Sequence, residues 1–262
     1  MSTIVFHVDH RLAPCDSPDA AVAIGEILVR PCFGSLSRVA INTRDRDVNH
    51  QGKTAAHVTA CLLENTSDAA VLDNGRSGEL VAMARIWTGR HIKKYDEPKP
   101  FLSSYIVLPY ANSQREDLLV GFVDLIRELE ATAGFVSCEP DYDRAHRAAL
   151  NKPWRLQDHP GYPRQRAQER KGHFWYGKKI DTEIAGPDWG IVLGPGHLQR
   201  LPPIGEPFAV VRDAGAAKLV QLTADPADAL AHEFPQKLEE ARRLLAPILM
   251  DVSHVPVDYT VE

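Results

Sequence analysis

The sequence contains few cysteines and no long apolar run. Its 262 residues include four cysteines, Cys15, Cys32, Cys61 and Cys138, and no two of them form a CxxC pair. This spacing excludes a structural zinc site of the usual kind and favours free thiols in a reducing compartment over two disulfides. Apolar runs such as 118–120 are far shorter than the ~20 residues needed to cross a bilayer. We therefore expect no membrane span.

Targeting and catalytic motifs are absent as well. The first residues, Met-Ser-Thr-Ile-Val-Phe-His, have neither a basic n-region nor an unbroken apolar h-region, so we expect a cytoplasmic protein without a signal peptide. The sequence has no GxSxG, GxxxxGK[ST], GxGxxG or HExxH motif. Gly194-Pro195-Gly196 is not a phosphate-binding loop, because proline lacks the amide that such a loop uses. The sequence therefore assigns no catalytic residue and no cofactor.

What is present indicates an α+β fold with a mainly antiparallel sheet and packed helices, in two layers or two closely joined lobes. Strands are predicted over 3–9, 79–88, 103–109 and 134–139, where β-branched and aromatic residues are frequent. A helix is expected to start at Ser17-Pro18, where serine can cap the helix and proline suits its first position. Helical spacing of apolar residues predicts a further helix over 53–64, and a short helix is expected over 141–150. The polar stretch 89–100 is predicted as a hairpin-like excursion or an exposed loop.

The strongest helix signal covers residues 114–131. Apolar residues recur at helical spacing, and Gly134 marks the predicted exit. Ser113 and Glu116 have the spacing of a capping box. We expect this helix to pack across the sheet. The apolar stripe consists of Leu118, Phe122, Leu125 and Leu129.

The last third of the sequence predicts a strand at 189–194, a short helix near Pro195, a hairpin joining 208–211 to 218–223, and a helix over 235–249. The hairpin is expected to turn at 213–216, and Glu239 and Arg243 form an i,i+4 pair on the last helix. We interpret residues 1–262 as one domain. Within it, sub-lobes 1–150 and 180–262 would be joined by an irregular basic segment, 151–179.

A stretch that includes this segment, residues 144–179, carries the most unusual charge pattern in the chain. Residues 144–179 contain ten Lys/Arg and only Asp158 and Glu169 as acids, a local charge of +8. Because the whole chain carries -5, the remainder carries -13. The interleaved aromatic residues allow three interpretations: a surface that binds a nucleic-acid backbone, a protein-docking surface, or a solvated loop. The acidic remainder argues against direct nucleic-acid binding. The candidate partner-binding residues are Trp154, Arg155, Tyr162, Trp175 and Tyr176.

Two groups of side chains raise the question of metal binding. On a strand, His7 and Asp9 share one face while His10 faces the other way, so these residues are interpreted as ordinary polar positions at a sheet edge. Glu139, Asp141 and Asp143 follow a predicted strand and could hold Mg²⁺ in a metal-dependent hydrolase. The simpler interpretation is a helix start, where acidic residues interact favourably with the helix dipole. We assign no metal site.

Four short segments between about residues 80 and 200 resemble a known family. They are 83–89 (MARIWTG), 104–109 (SYIVLP), 137–142 (SCEPDY) and 188–194 (DWGIVLG). In this order they are similar to elements of immunity family 52, the immunity proteins of bacterial polymorphic toxin systems. The sequence departs from the family at Tyr142, where tryptophan is common, and by a basic insertion before the last element.

The resemblance implies an antitoxin-like binding protein. Such a protein neutralises a cognate secreted effector toxin, often delivered by a type VI secretion system, by blocking its active site or its access to substrate. Toxins encoded beside this family often resemble restriction-endonuclease-fold nucleases. The resemblance therefore implies a nuclease inhibitor that is not itself an enzyme and that acts in bacterial competition.

Overall fold

The structure of the chain, a computed structural model, describes residues 2–10, 38–43, 47–51, 67–73, 83–88, 102–141, 145, 164–175 and 179–253. The helices predicted from Ser17 and over 53–64, the loop predicted at 89–100, and most of 141–150 lie outside these residues.

In the described parts of the chain, ten strands form one sheet in the order β3-β2-β4-β5-β6-β1-β7-β8-β10-β9. Every neighbouring pair is antiparallel, which confirms the predicted α+β class with a mainly antiparallel sheet. Strands on both sides of segment 151–179 belong to this sheet. The strands are β1 (Thr3–His10), β2 (Arg38–Thr43), β3 (Asp47–Gln51), β4 (Ser67–Asp73), β5 (Met83–Thr88), β6 (Leu102–Pro109), β7 (Ala133–Glu139), β8 (Gly190–Leu193), β9 (Val210–Ala214) and β10 (Ala217–Gln221).

Strand β1 lies inside the sheet, between β6 and β7. Ile4, Phe6 and Val8 belong to the main hydrophobic core, and the ring centroid of Phe6 lies 4.7 Å from that of Phe122. His7 and Asp9 are each only 1% exposed, and a 2.8 Å hydrogen bond joins His7 Nε2 to Asp9 Oδ1. The prediction that these two residues occupy a sheet edge was wrong, because later segments of the chain pair with both sides of β1.

Helix α1 (Arg115–Glu128) confirms the predicted long helix, but its ends differ from the prediction. Ser113 lies in a short 3-10 turn, and no side chain caps the helix at Gln114. Glu116 instead accepts two hydrogen bonds from Arg212, at 2.7 and 3.0 Å, and these bonds lower the pKa of its carboxyl group. The capping-box prediction was therefore wrong: a partner distant in sequence binds the carboxylate.

The helix also ends earlier than Gly134. Glu130 adopts a left-handed conformation with φ 48°, and Gly134 is already the second residue of β7. A Cβ atom at Gly134 would lie 2.2 Å from the carbonyl oxygen of His7. This glycine is therefore required by the close approach of β1 and β7, rather than by the end of the helix.

Helix α2 (Arg164–Trp175) corrects the prediction that segment 151–179 is irregular. Pro163, Gly172 and Gly177 hid the helix, because proline and glycine usually interrupt helical periodicity. Pro163, however, directly precedes the first helical residue, and arginine, glutamine, alanine and lysine between the interruptions all favour a helix.

The remaining described helices are α3 (Pro195–Leu198) and α4 (Phe234–Leu245), with 3-10 turns at Pro226–Leu230 and Ala246–Ile248. They confirm the short helix near Pro195 and the last helix. The β9–β10 hairpin is also confirmed, and Gly215 takes φ 73° at its tip. The predicted side-chain pair between Glu239 and Arg243 was wrong. The Glu239 carboxylate pairs with Arg242 instead, and Arg243 Nε donates only to the backbone oxygen of Glu239.

We predict that Phe122→Ala costs about 3–5 kcal/mol of unfolding free energy, because Phe122 is fully buried against β1. Val120→Ala on the same helix is the matched control, since Val120 is 47% exposed and its loss should change stability by less than about 0.5 kcal/mol. Urea unfolding followed by circular dichroism measures both. Equal effects of the two substitutions would contradict the placement of α1 on the sheet.

Candidate functional site: a charged cavity at one end of the sheet

A cavity of about 680 Å³ lies at the sheet end where β7 finishes. One wall comes from the end of β7, and a second wall comes from α2 together with Asp188. The third wall comes from the 3-10 turn at Pro226–Leu230 and the first turns of α4. The charged side chains that line it are Glu139, Arg166, Asp188, Glu239 and Arg242.

Arg166 attaches α2 to the segment before β8. Its Nη2 donates to Asp188 Oδ1 at 3.0 Å, and its Nη1 donates to the carbonyl oxygen of Pro187. The same Asp188 oxygen accepts the backbone N–H of Trp189 at 3.1 Å. Asp188 is 4% exposed and Trp189 is fully buried, so this ion pair lies at the edge of the hydrophobic core.

Glu169, one turn further along α2, attaches the helix to α4. Arg242 binds it in a bidentate manner, with Nε 2.9 Å from Oε1 and Nη2 3.0 Å from Oε2. Arg166 Nη1 approaches the same carboxylate at 3.4 Å. A Cβ atom at Gly186 would lie 2.4 Å from the Glu169 side chain, so the chain needs glycine where it passes this pair.

The cost of burial dominates the electrostatics of Glu169. The residue is 3% exposed, and this desolvation raises the pKa of its carboxyl group, while Arg166 and Arg242 act in the opposite direction. Removing one partner from such a buried pair is usually far more costly than replacing both, because the remaining charge stays buried. The network formed by Arg166, Glu169, Asp188 and Arg242, here called the α2 anchor, therefore holds α2 in place.

A second polar chain extends from the same end of the sheet. Trp189 Nε1 donates to Thr223 Oγ1 at 2.8 Å, and Thr223 Oγ1 donates to the backbone oxygen of Asp225 at 3.0 Å. Tyr110 donates to Asp225 Oδ1 at 2.9 Å, and burial together with this carboxylate raises the pKa of the phenol. Cys138 on the cavity wall is also buried, which raises its thiol pKa to about 12. These groups stabilise the site and are poor nucleophiles at neutral pH.

The three acidic residues considered for metal binding occupy different environments. Glu139 is 5% exposed and accepts a 2.9 Å hydrogen bond from Ser137, whereas Asp141 is exposed. The backbone oxygen of Asp141 accepts the N–H of Ala145 at 3.1 Å, as in a helical turn. Asp143 lies outside the described residues. Among the residues that are described, no three His, Cys, Asp or Glu side chains are grouped to hold a metal ion.

The candidate partner-binding residues fall mostly outside the described part of the chain. Trp154, Arg155, Tyr162 and Tyr176 are not described, and Trp175 is the last residue of α2. Sequence reasoning missed the anchor itself. Its one sequence signal was that Glu169 is one of only two acids in a basic segment, and its partner Arg242 lies 73 residues away.

Comparison with solved structures shows what this fold is similar to. No protein-family model and no curated protein matches the chain. Among solved structures, a type VI secretion system protein of Pseudomonas aeruginosa is similar, with a TM-score of 0.59 over 95% of this chain and 73% of that chain. Sequence identity is 13%, so the likeness establishes the fold. Within the described residues, no helix is both long and apolar enough to span a membrane.

We predict that Arg242→Met lowers the unfolding free energy by about 3–5 kcal/mol, because it removes the bidentate partner and leaves the buried Glu169 charge with Arg166 alone, at 3.4 Å. Glu169→Met combined with Arg242→Met should recover most of that loss. Arg243→Met is the matched control and should have an effect of less than about 0.5 kcal/mol, because Arg243 is exposed. Chemical denaturation measures all three. The anchor would be contradicted if Arg242→Met were no more harmful than Arg243→Met.

Proposed function

We propose that this protein is an immunity protein of a type VI secretion system. It binds a cognate secreted effector toxin in the cytoplasm of the producing cell and blocks the toxin's active site or its access to substrate. The toxin is a nuclease with a restriction-endonuclease-type fold. The protein acts by binding and performs no catalysis of its own.

The observation that carries this proposal is the similarity in fold to the Pseudomonas aeruginosa type VI secretion system protein. It extends over 95% of the chain, so it concerns the whole arrangement of strands and helices rather than one common motif. The four segments that resemble immunity family 52 give independent support from sequence. Segment 83–89 includes all of β5, 104–109 includes most of β6, and 188–194 includes all of β8.

The arrangement of charges also favours binding over catalysis. In the α2 anchor, arginine and carboxylate groups bind one another, which stabilises the structure and does not activate water or a nucleophile. For the alternative, a metal-dependent hydrolase, carboxylates must converge on one cation. Glu139 is buried and bonded to Ser137, while Asp141 is exposed, which does not favour such convergence.

Co-expression with the toxin encoded by the adjacent gene tests the proposal. We expect the protein to co-purify with that toxin and to restore growth of cells that produce it. Asp141→Asn should protect equally well and cost about 0.5–1 kcal/mol of stability, the size of the interaction between a carboxylate and a helix start. Growth curves, pull-down and thermal melting measure these effects.

Two results would contradict the proposal. One is a toxin that neither co-purifies nor is neutralised. The other is a divalent-metal-dependent activity of this protein that disappears in the Asp141→Asn variant, which would favour the hydrolase instead.

The basic segment is a proposed contact region for the toxin. Trp154, Arg155, Tyr162, Trp175 and Tyr176 combine large contact area with modest entropy cost, as anchors in tight interfaces do. The α2 anchor supports this role, because it holds the helix that carries Trp175 in a defined position.

If this segment contacts the toxin, Trp154→Ala or Trp175→Ala should weaken binding by roughly 2 kcal/mol or more with the fold unchanged. Isothermal titration calorimetry measures the affinity, and thermal melts check the fold. If acidic surfaces that mimic nucleic acid provide most of the toxin affinity instead, both variants should bind the toxin normally. The affinity should then fall steeply with added salt.

A further inference from the structure

His197, the third residue of α3, is completely buried where the end of β8 meets the segment 179–186. Its Nδ1 accepts the backbone N–H of Gly194 at 3.2 Å. Because a backbone N–H can only donate, Nδ1 carries no proton and the ring is neutral. Within the described residues, the other ring nitrogen, Nε2, has no hydrogen-bond partner. The ring is therefore held in the neutral form that carries its proton on Nε2.

Two contacts hold α3 against the segment 179–186. A Cβ atom at Gly196 would lie 2.1 Å from the carbonyl oxygen of Asp181, so the two backbones approach very closely. Arg200 Nη1 donates to the carbonyl oxygen of Thr182 at 2.7 Å. The segment then leads directly to the part of the α2 anchor that precedes β8. We call the segment 179–186 and α3 together the latch region.

A proton on the second nitrogen of His197 is incompatible with this junction. A charged imidazole donates from both nitrogens, so its Nδ1–H would face the N–H of Gly194 instead of accepting it. The same Gly194 N–H also donates to the carbonyl oxygen of Thr132 at 3.1 Å, and this bond joins the end of β8 to the turn before β7. The charged ring would therefore lose a hydrogen bond and would place its charge in a site closed to solvent.

The groups around the ring have opposing effects on its charge. Burial lowers the pKa of His197, and the Arg200 guanidinium acts in the same direction. The Asp181 carboxylate and nearby backbone carbonyl oxygens raise this pKa, but burial makes the largest contribution. The Glu183 carboxylate, in the same segment, binds Lys179. The pKa of His197 in the folded protein therefore lies below the value of about 6.5 that histidine has in an unfolded chain.

We propose that His197 is an acid-sensitive latch. The neutral ring keeps the latch region closed against the end of β8, and a ring that gains a proton lets this region open before the sheet unfolds. The stabilisation by the neutral ring is fully present above a pH of about 6.5, and it is lost as the pH falls from there toward the lower pKa of the folded state. This inference concerns the fold and does not depend on the proposed function.

Hydrogen exchange followed by mass spectrometry tests the latch on the unmodified protein, at a pH of about 7.5 and of about 5.5. After correction for the intrinsic pH dependence of exchange, peptides from the latch region should exchange about threefold or more faster at the lower pH. The reason is that each unit by which the two pKa values of His197 differ changes the opening equilibrium by up to about tenfold. Peptides from α1 should change by less than about twofold, because the sheet and its main helix stay closed.

Two substitutions remove the titrating ring in different ways. His197→Asn keeps an acceptor for the N–H of Gly194, and His197→Phe keeps the volume of the ring. His232→Asn is the matched control, because His232 is exposed. Both His197 variants should lose the acid response, so exchange in their latch region should differ by less than about twofold between the two pH values. The His232→Asn variant should keep the full response.

Three outcomes would overturn the latch. The first is an unmodified protein whose latch region exchanges no faster at the lower pH. The second is an equal acceleration in α1, which would mean that acid loosens the whole fold. The third is an acid response that persists in a His197 variant, which would assign it to another group. If one His197 variant does not fold, the other variant and the unmodified protein still decide the question.

Discussion

The bidentate pair between Glu169 and Arg242 is the interaction on which the candidate site depends. It joins α2 to α4 at a place where Glu169 is only 3% exposed, so breaking the pair would leave a poorly compensated charge buried. Arg166 extends the contact to Asp188, which in turn holds the backbone of Trp189 at the start of β8. A basic segment is thereby attached to an acidic body through the buried acid Glu169. The position of α2, the shape of the cavity and the packing of Trp189 all follow from this arrangement.

The α2 anchor divides the described residues of α2 into a buried group and an exposed group. Arg166, Ala167 and Glu169 face the body of the protein and are constrained by burial and ion pairing, whereas Arg164 and Gln165 are exposed. A binding protein benefits from this division, because a rigidly held element loses little conformational entropy when a partner docks on it. The cavity lies beside the same helix. The proposed contact region in the basic segment therefore depends on this one set of buried pairs.

Local sequence patterns predicted most of the described helices and strands, whereas contacts between residues distant in sequence could not be predicted. The apolar stripe of α1, the alternating strands and the β9–β10 hairpin follow from residues close together in sequence, and the structure confirms them. Glu116 had a plausible local partner in Ser113, yet Arg212, which lies 96 residues away, binds it. Helix α2 was not predicted, because glycine and proline interrupt the helical spacing of its residues. The α2 anchor could not be predicted, since no local pattern relates Glu169 to Arg242.

The place of β1 in the sheet has a consequence for how the chain folds. Both neighbours of β1 are made later: roughly 90 residues separate it from β6, and more separate it from β7. At translation rates of about 5–20 residues per second, β1 leaves the ribosome several seconds or more before either partner exists. Its ladder groups and its buried His7–Asp9 pair are exposed during that interval. The centre of this sheet therefore assembles late, and the nascent chain is open to misassociation or chaperone binding until β7 has emerged.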